Sequence, residues 1–270
     1  MKNISYILLV IGSIVLAARN SNSVLSMQNG LPRTRLSQGE RVPFSTRSLL
    51  NAVDYQVRSP GPGGPTFVGG LVPALVSHTA IAGNNTGTIS TAAIDTTGST
   101  VLVAVGAGYP TASISLTDSK ANAWTQLNTQ PNHDNVTVAL WYCLAPRAGT
   151  GHTFTLAGAS YPSITVMAFS GVTALDQSNH TYLGPANTNT MQPGSITPTS
   201  NGQLIVVGAA TAIGPVSAID SGFTLADHAE QVTATMGAYR IQSSAGAVNP
   251  TFQTVYQGAY QSGGWNLSLK

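Results

Sequence analysis

Short runs of alternating apolar and polar residues fill the chain from Phe67 onward, and turn-forming residues separate them at short intervals. Alternation with a period of two is typical of β-strands with one buried face, whereas an amphipathic helix repeats every 3.6 residues. No long apolar stripe with the helical period is present in this region, which argues against a parallel βαβ fold. The pattern therefore predicts an all-β domain.

The segment Val136–Leu144 is apolar on both faces, because Val138, Leu140 and Tyr142 alternate with Ala139, Trp141 and Cys143. A strand that is apolar on both faces is expected in the middle of a sheet, and the same holds for Ser163–Phe169 and Leu204–Val207. The predicted strands are Leu71–Ile81, Gly87–Ile94, Thr100–Val105, Ala112–Thr117, Trp124–Leu127, Val136–Leu144, His152–Leu156, Ser163–Phe169, Gly194–Pro198, Gln203–Ala209, Gly222–Ala226, Thr233–Ile241, Thr251–Tyr256 and Gly264–Leu269. No internal repeat is evident. We expect an all-β, antiparallel two-sheet sandwich of jelly-roll type over residues 67–270.

A different pattern opens the chain. Lys2 is followed by a hydrophobic run, Ile4–Ala18, which Arg19 ends. The run has the length of the apolar core of a signal peptide and is shorter than the roughly 20 residues of a membrane-spanning helix. As a retained helix it would span only about 22 Å. Residues 1–18 are therefore expected to be a signal peptide or a retained anchor.

Residues 19–66 show no sustained periodicity and end in a Pro/Gly hinge, Ser59–Pro65. Proline lacks the backbone donor that a helix or central strand needs, so this region is predicted to be an extended arm and linker. Residues 1–66 hold seven basic and two acidic residues, a net charge of +5, whereas residues 67–270 hold four and seven, a net charge of −3. The asymmetry suggests a basic arm that docks on an acidic partner surface. Its candidate residues are Arg33, Arg35, Arg41, Arg47 and Arg58.

Charged residues make up only 7% of the chain, against a usual share of about 25%. Thr, Ser, Asn and Gln take the polar positions, a neutral surface often found on secreted proteins and particle surfaces. The single cysteine, Cys143, excludes an internal disulfide and a Cys-based zinc site. It lies in a strand-like run and is predicted to be a buried apolar residue.

Motifs for catalysis are missing from the sequence. The five histidines have no metal-ligand spacing, and there is no nucleophile elbow and no phosphate-binding loop. Carboxylates are few, so a glycosidase pair is not expected. Asp118 and Asn122 suit either a turn or a calcium ligand set, and the turn is favoured. We therefore expect no enzymatic activity, no catalytic residue, no cofactor and no metal.

Aromatic residues are the remaining candidates for binding. Tyr109, Tyr161, Tyr256 and Tyr260 lie at strand ends or near turns, where exposed rings can stack on the apolar face of a sugar. These four tyrosines are the ligand-facing candidates. Trp124, Trp141 and Trp265 lie in strand patterns and are expected in the core.

The span from Ser113 to Gln177 has a recognisable skeleton: Leu116–Ser119, Asn122–Leu127, Val138–Tyr142, Ala148–Leu156, Ile164–Val172 and Leu175–Gln177, continued by Gly202–Val206. It resembles β-sandwich modules of phage fibre, spike and tail proteins and of bacterial extracellular surface proteins. The resemblance covers roughly residues 70–270. It implies a spacer, adhesin or virion surface role and supplies no catalytic residues.

Two functions follow as expectations. The first is a non-enzymatic virion structural or surface protein of the fibre, spike or decoration type, held by its N-terminal arm with the sandwich facing outward. The alternative is a secreted or surface-anchored bacterial adhesin or sugar-binding module. The expected location is the virion surface, or the cell surface and its exterior. The expected partners are other virion or surface proteins and a glycan or receptor, with no specific nucleic acid, and the chain is expected to form a homo-oligomer.

Overall fold

The computed structural model describes residues 7–11, 14–18, 72–109, 113–133, 136–183, 189–212, 216–220, 222–254 and 262–270. Contacts within the chain divide it into Met1–Val68 and Gly69–Lys270. This division lies two residues from the expected start of the sandwich domain. The arm of residues 19–66, with its five candidate arginines, lies outside the described residues.

The apolar N-terminal segment contains two strands, β1 (Ile7–Ile11) and β2 (Ile14–Ala18). They pair antiparallel, with Ile11 opposite Ile14 and Ile7 opposite Ala18. The segment is therefore a strand pair and not the continuous helix considered from the sequence. In the part of the chain that is described, no helix is long and apolar enough to cross a membrane. The choice between signal peptide and anchor stays a prediction.

Residues 72–270 are all-β and antiparallel, as predicted. The first eight strands are β3 (Ala74–Ala82), β4 (Thr88–Ser90), β5 (Val101–Gly108), β6 (Ser115–Asp118), β7 (Thr125–His133), β8 (Val136–Leu144), β9 (Phe154–Ala157) and β10 (Ser163–Ser170). The next eight are β11 (Leu175–Leu183), β12 (Thr190–Met191), β13 (Gln203–Thr211), β14 (Val216–Ile219), β15 (Thr224–Glu230), β16 (Ala234–Gln242), β17 (Phe252–Thr254) and β18 (Ser262–Leu269).

The strand order reveals an internal repeat. The first eight strands form a five-stranded sheet in the order β3-β10-β5-β8-β7 and a three-stranded sheet in the order β4-β9-β6. Adding eight to each number gives the orders of the other two sheets, β11-β18-β13-β16-β15 and β12-β17-β14. In each repeat the first strand pairs with the last, the second with the seventh and the third with the sixth. The repeat, which was not evident in the sequence, is therefore visible in the strand order.

Short sequence matches accompany the repeated topology. Ile94 forms an isolated bridge with His152 in the first repeat, and Ile196 forms the corresponding bridge with Val248 in the second. The seventh strands begin with Phe154 and Phe252, each directly preceded by a threonine, and both phenylalanines are fully buried. Tyr142 and Tyr239 each lie opposite the threonine that opens the neighbouring strand of the sheet. These matches are too short and too widely spaced to mark a repeat in the sequence alone.

Three apolar cores separate four layers. The central core lies between the two five-stranded sheets and contains Val105, Leu140, Met167, Val206 and Trp265. A second core fills the first repeat between its two sheets, and a third does the same in the second repeat. The described residues therefore confirm an antiparallel β-sandwich, with four sheets in a 3-5-5-3 arrangement where two were expected. Each repeat has the eight strands of a jelly roll, but the jelly-roll order itself stays a prediction.

The two five-stranded sheets face each other about an approximate two-fold axis. The middle strands of the two sheets, β5 and β13, lie against each other. At one edge, β3 of the first sheet lies against β15 of the second. Contacts of β10 with β16 are matched across the axis by contacts of β8 with β18. The arrangement has the form of an isologous dimer interface made within one chain.

Glycines let the central sheets approach closely. Gly208 of β13 and Gly237 of β16 lie opposite each other. A Cβ on Gly208 would lie 2.5 Å from Val105 Cγ2, and one on Gly237 would lie 2.5 Å from Met167 Cε. Val105 and Met167 of the first repeat therefore occupy the space that two side chains of the second repeat would fill.

Polar bonds cross the interface on the side where β10 faces β16. The hydroxyls of Thr165 and Thr235 are 2.9 Å apart, and Thr233 Oγ1 lies 2.9 Å from Ser163 Oγ. On the opposite side the corresponding contact is apolar. There Gly263, near the start of β18 in the second repeat, lies against Val138 of β8 in the first repeat and against Trp265. The two halves of the interface are thus chemically distinct.

Most strands and core residues follow the sequence-based expectation. β8 and β10 are central and buried on both faces, and Trp141, Trp265 and Cys143 are buried. Burial raises the pKa of the Cys143 thiol, in keeping with an apolar structural role. The segment Gly194–Pro198 is not a strand and contributes only the Ile196 bridge. β11 was missed because it is an edge strand whose sequence is largely polar.

We expect Gly208→Ala to lower the free energy of unfolding by about 1–3 kcal/mol, the usual cost of overpacking a core. The new methyl group would meet Val105 and Leu140, and the branched Val105 side chain has little room to move. Gly87→Ala is the control, because its Cβ would meet nothing within 4 Å. Urea denaturation of both variants measures the difference, and equal stabilities would show that the sheets separate freely.

Candidate functional site

The two ends of the domain differ in what they contain. Val72, at the start of the described domain, lies beside Gly171, which joins the repeats. A Cβ on Gly171 would lie 2.5 Å from Val72 O, and its φ of +78° also favours glycine. Thr173 N and Ala174 N donate to Lys270 O. Val72, residues 171–174 and Lys270 therefore meet at one end, which we call the junction end.

The opposite, distal end carries the connections between β3 and β4, β5 and β6, β9 and β10, and their counterparts in the second repeat. The registers place Ala82 opposite Ser163 and Ser163 opposite Ala107 at this end. Thr233, just before β16, bonds to Ser163 and to Tyr161 O at 2.9 and 2.6 Å. The distal ends of the two repeats therefore lie side by side.

Charge is concentrated at the junction end. Eight of the ten charged residues described in the domain lie there: Asp95, Asp118, Lys120, Arg147, Asp176, Asp220, Arg240 and Lys270. Asp227 lies in the middle of β15, where it bonds His78 at 2.8 Å, and Glu230 lies at the distal end. All the described cations of the domain are thus at the junction end, and Glu230 is the charged residue described at the distal end.

Two of the four candidate tyrosines come together at the distal end. Tyr109 follows β5 and Tyr161 precedes β10, and their ring centroids are 6.2 Å apart with an interplanar angle of 35°. Both residues are half-buried. Tyr256 and Tyr260 lie outside the described residues, in the connection between β17 and β18.

Hydrogen bonds hold the backbone beneath this tyrosine pair. Tyr161 O accepts the bond from Thr233 Oγ1. The residues on either side are tied to the β3–β4 connection, since Gly83 N donates to Pro162 O and Thr86 N donates to Ser160 O, both at 2.8 Å. Three distal connections, two from the first repeat and one from the second, are therefore joined around Tyr161.

At the junction end of the first repeat, the carboxylate of Asp118 is a hub for hydrogen bonds. It accepts from Trp124 Nε1 at 2.7 Å, His152 Nε2 at 3.0 Å and Lys120 N at 2.8 Å. Asn122 N and Nδ2 also donate to it. Burial acts to raise the pKa of Asp118, but the bonds from His152, Lys120, Trp124 and Asn122 outweigh it and hold that pKa below its usual value. The predicted turn role of Asp118 and Asn122 is confirmed.

Thr96, His152 and Asp118 form a hydroxyl–imidazole–carboxylate series, with His152 Nδ1 2.9 Å from Thr96 Oγ1. Such a series activates a nucleophile in hydrolases. Here, however, Thr96 and His152 are fully buried, and the side chain of Asp118 has no exposed surface. The hydroxyl also accepts from Gly149 N at 3.0 Å. With no open side for a substrate, the series serves as an internal brace between loops.

The second repeat fills the corresponding space with apolar side chains. Asp118 ends β6 opposite Phe154, and Ile219 ends β14 opposite Phe252. Val248 takes the place of His152 in the isolated bridge. Pro198, two residues after the bridged Ile196 as Thr96 is after Ile94, is buried as well. The same position in the fold is thus stabilised by polar bonds in one repeat and by apolar packing in the other.

A second carboxylate braces the junction end of the second repeat. Asp176 accepts from Lys270 Nζ at 2.8 Å and from Thr199 Oγ1 and N at 2.6 and 2.8 Å. The bonds from Lys270 and Thr199 hold the pKa of Asp176 well below its usual value. This brace joins β11, the connection after β12 and the end of β18.

Sequence reasoning missed the His152–Asp118 bond. Both residues were noted, Asp118 as a turn former and His152 within a strand-like run, but 34 positions separate them. The signal available in the sequence was a histidine two residues before the phenylalanine that begins β9. In the structure the His152 ring stacks on Phe154, with ring centroids 4.3 Å apart. Of the other histidines, His228 is exposed, and its Nε2 lies 3.9 Å from Glu230 Oε1. The side chain of His133 lies outside the part of the chain that the structure describes.

We expect Asp118→Ala to lower the free energy of unfolding by about 3–5 kcal/mol, because the buried His152 and the half-buried Trp124 would lose their acceptor. Asp220→Ala is the matched control at the same end, since Asp220 is exposed and its loss should cost under about 0.5 kcal/mol. Chemical denaturation followed by tryptophan fluorescence compares the two. Equal losses would contradict the buried brace.

Acid should destabilise the domain through the same braces. Asp118 and Asp176 have pKa values below the unfolded value near 3.8, so their stabilisation is complete above that pH and is lost as pH falls through the folded values. We expect the unfolding free energy to decline below about pH 4. Asp176→Asn should be less stable at pH 7 and should show a shallower acid decline, and Lys270→Gln should shift in the same direction. Parallel acid profiles for wild type and Asp176→Asn would contradict this.

No known protein family, curated protein or solved structure matches this chain. The resemblance of Ser113–Gln177 to β-sandwich modules of phage and bacterial surface proteins stays a prediction.

Proposed function

We propose that this protein is a non-enzymatic structural or surface protein of a virion, of the fibre, spike or decoration type. Its N-terminal arm attaches it to the particle, and its paired sandwiches project outward. The observation that carries this proposal is the polarity of the domain. The entering chain, the joint between repeats and the end of β18 meet at one end, which holds the described cations, while the tyrosine pair lies at the other end.

The entry position supports attachment through the junction end. Residues 19–66 must join the domain at Val72, next to Gly171, so an arm bound to a particle leaves the distal end farthest from the attachment point. The net charge of +5 on residues 1–66 favours an acidic partner surface, with salt weakening the contact.

Internal construction supports a structural role. The two repeats share the central core, so they are expected to resist separation as one rigid body. The hydroxyl–imidazole–carboxylate series among the described residues is sealed from solvent. Its five-donor carboxylate hub braces loops rather than presenting a reactive group.

The alternative is a secreted or surface-anchored bacterial adhesin. The tyrosine pair favours an attachment role of this kind, because it places two half-buried aromatic rings at an end that faces away from the arm. Both functions use the same polarity and differ in what holds the N-terminal segment.

Epitope insertion tests the polarity. We expect a short epitope between Asn84 and Asn85, at the distal end, to bind antibody on intact particles or cells. The same epitope between Ser243 and Ser244, in an exposed turn at the junction end, should be masked until the particle or cell is disrupted. Both variants should melt cooperatively, which confirms that the insertions are tolerated. Equal accessibility of the two epitopes in the intact state would contradict the proposed orientation.

A charge-neutralised arm completes the test. Replacing Arg33, Arg35, Arg41, Arg47 and Arg58 with glutamine should reduce incorporation into the particle or cell-surface fraction, measured by quantitative immunoblot. Replacing Arg147 and Arg240 is the matched control for a general loss of positive charge. Undiminished incorporation of the five-residue variant would rule out the arm as the attachment element.

A further inference from the structure

We propose that Tyr109 and Tyr161, with exposed amide side chains of the adjoining connections, form a binding site for an uncharged glycan at the distal end. The inference rests on the proposed function, in which this end faces outward. It goes further by assigning the residues of the site, its dependence on both repeats and the chemical class of the ligand.

Ring geometry is the first support. Tyr109 and Tyr161 are both half-buried, so each ring keeps part of its surface in solvent. The 35° angle and the 6.2 Å centroid distance make the pair a shallow, bent platform rather than a closed stack. Tyrosine combines an apolar ring face with a hydroxyl that bonds water or ligand, and this matches the apolar faces and hydroxyl rims of sugars.

Preorganisation is the second support. Tyr161 lies between Ser160 and Pro162, whose carbonyls accept bonds from Thr86 N and Gly83 N. Its own carbonyl accepts from Thr233 of the second repeat, a residue that is itself buried. Tyr109 directly follows β5, every residue of which is buried. Because the backbone of Tyr161 is held on both sides and Tyr109 continues a buried strand, ordering these rings should cost a ligand little conformational entropy.

Amide groups supply the third support. Asn84 and Asn85 are exposed in the β3–β4 connection, which is bonded to the segment that carries Tyr161. Gln231 is exposed in the β15–β16 connection, two residues before Thr233. An amide offers both a donor and an acceptor, the complement of a sugar hydroxyl. Tyrosine with asparagine and serine at the loop end of a β-sandwich is also the composition of antibody binding loops.

Charge decides the class of ligand. The cations described in the domain, Lys120, Arg147, Arg240 and Lys270, all lie at the junction end. Glu230 is the charged residue described at the distal end, and it is negative. A sialylated or sulfated glycan would find no described partner for its charge there and would meet a carboxylate. A neutral oligosaccharide meets no such penalty.

Binding of the full chain to a set of immobilised oligosaccharides tests the inference. The set contains neutral glucose, galactose and N-acetylglucosamine oligomers, with sialylated and sulfated sugars of matched length. We expect retention of at least one neutral oligomer and weaker or no retention of the charged ones. Titration calorimetry then measures the dissociation constant for the best neutral oligomer.

Variants localise the site. Tyr161→Ala and Tyr109→Ala should each weaken binding by about tenfold, since ring stacking contributes on this scale. Tyr161→Phe should stay within about threefold of wild type because it keeps the ring. Ile241→Ala is the control, an exposed apolar residue at the junction end. Thermal melts check folding, and shifts of the Tyr109, Tyr161 and residue 83–87 resonances in the wild-type protein locate the ligand without any substitution.

Three outcomes would overturn the inference: no neutral oligomer bound at about 10 mM, preference for charged sugars, or ligand-induced shifts confined to the junction end. The proposed function would survive each of them if the distal epitope remained accessible and the arm remained necessary for incorporation. Failure of the epitope test with intact glycan binding would instead remove the proposed orientation and leave a sugar-binding module.

Discussion

Close contact between the two five-stranded sheets is the constraint on which the domain depends. Val105 and Met167 of the first repeat lie over Gly208 and Gly237 of the second, with no room for a Cβ on either glycine. Each repeat has its own smaller core, but the largest apolar cluster belongs to neither repeat alone. The relative position of the junction and distal ends follows from this contact, because it fixes the repeats side by side with their strands in register.

The repeats have diverged chemically while keeping their topology. Thr96, His152 and Asp118 brace the first repeat by hydrogen bonds, and Pro198, Val248 and Ile219 fill the corresponding space in the second. In the first repeat the buried polar groups of Thr96, His152 and Asp118 are all hydrogen-bonded, and in the second repeat the corresponding side chains are apolar. Both arrangements avoid a buried polar side chain without a partner, which would destabilise a core. The interface between repeats has diverged in the same way, with threonine bonds on one side of the axis and Trp265 with Val138 on the other.

The sequence predicted the parts of the structure that depend on local periodicity. The two-faced apolar run Val136–Leu144 was placed correctly in the middle of a sheet, and the buried state of Trp141 and Cys143 followed from it. Sheet number and the repeat were not predictable, because they depend on which strands pair over long distances. Polar edge strands such as β11 carry little periodic signal. At the distal end, strand-end position identified Tyr109 and Tyr161 separately, but their contact depends on the pairing of β5 with β10, which no local pattern encodes.

Pairing of the first strand with the last in each repeat also determines how the domain carries load. A protein held at Val72 and pulled at its distal end is stretched along its strands. Hydrogen bonds between antiparallel strands run perpendicular to them, so this pull shears all the bonds between β3 and β10 together instead of opening them one at a time. Beyond β10, the same force passes into β5 and across the central core to the second repeat. The strand order thus aligns this shear direction with the line from Val72 to the tyrosine pair, the proposed attachment end and the proposed glycan site.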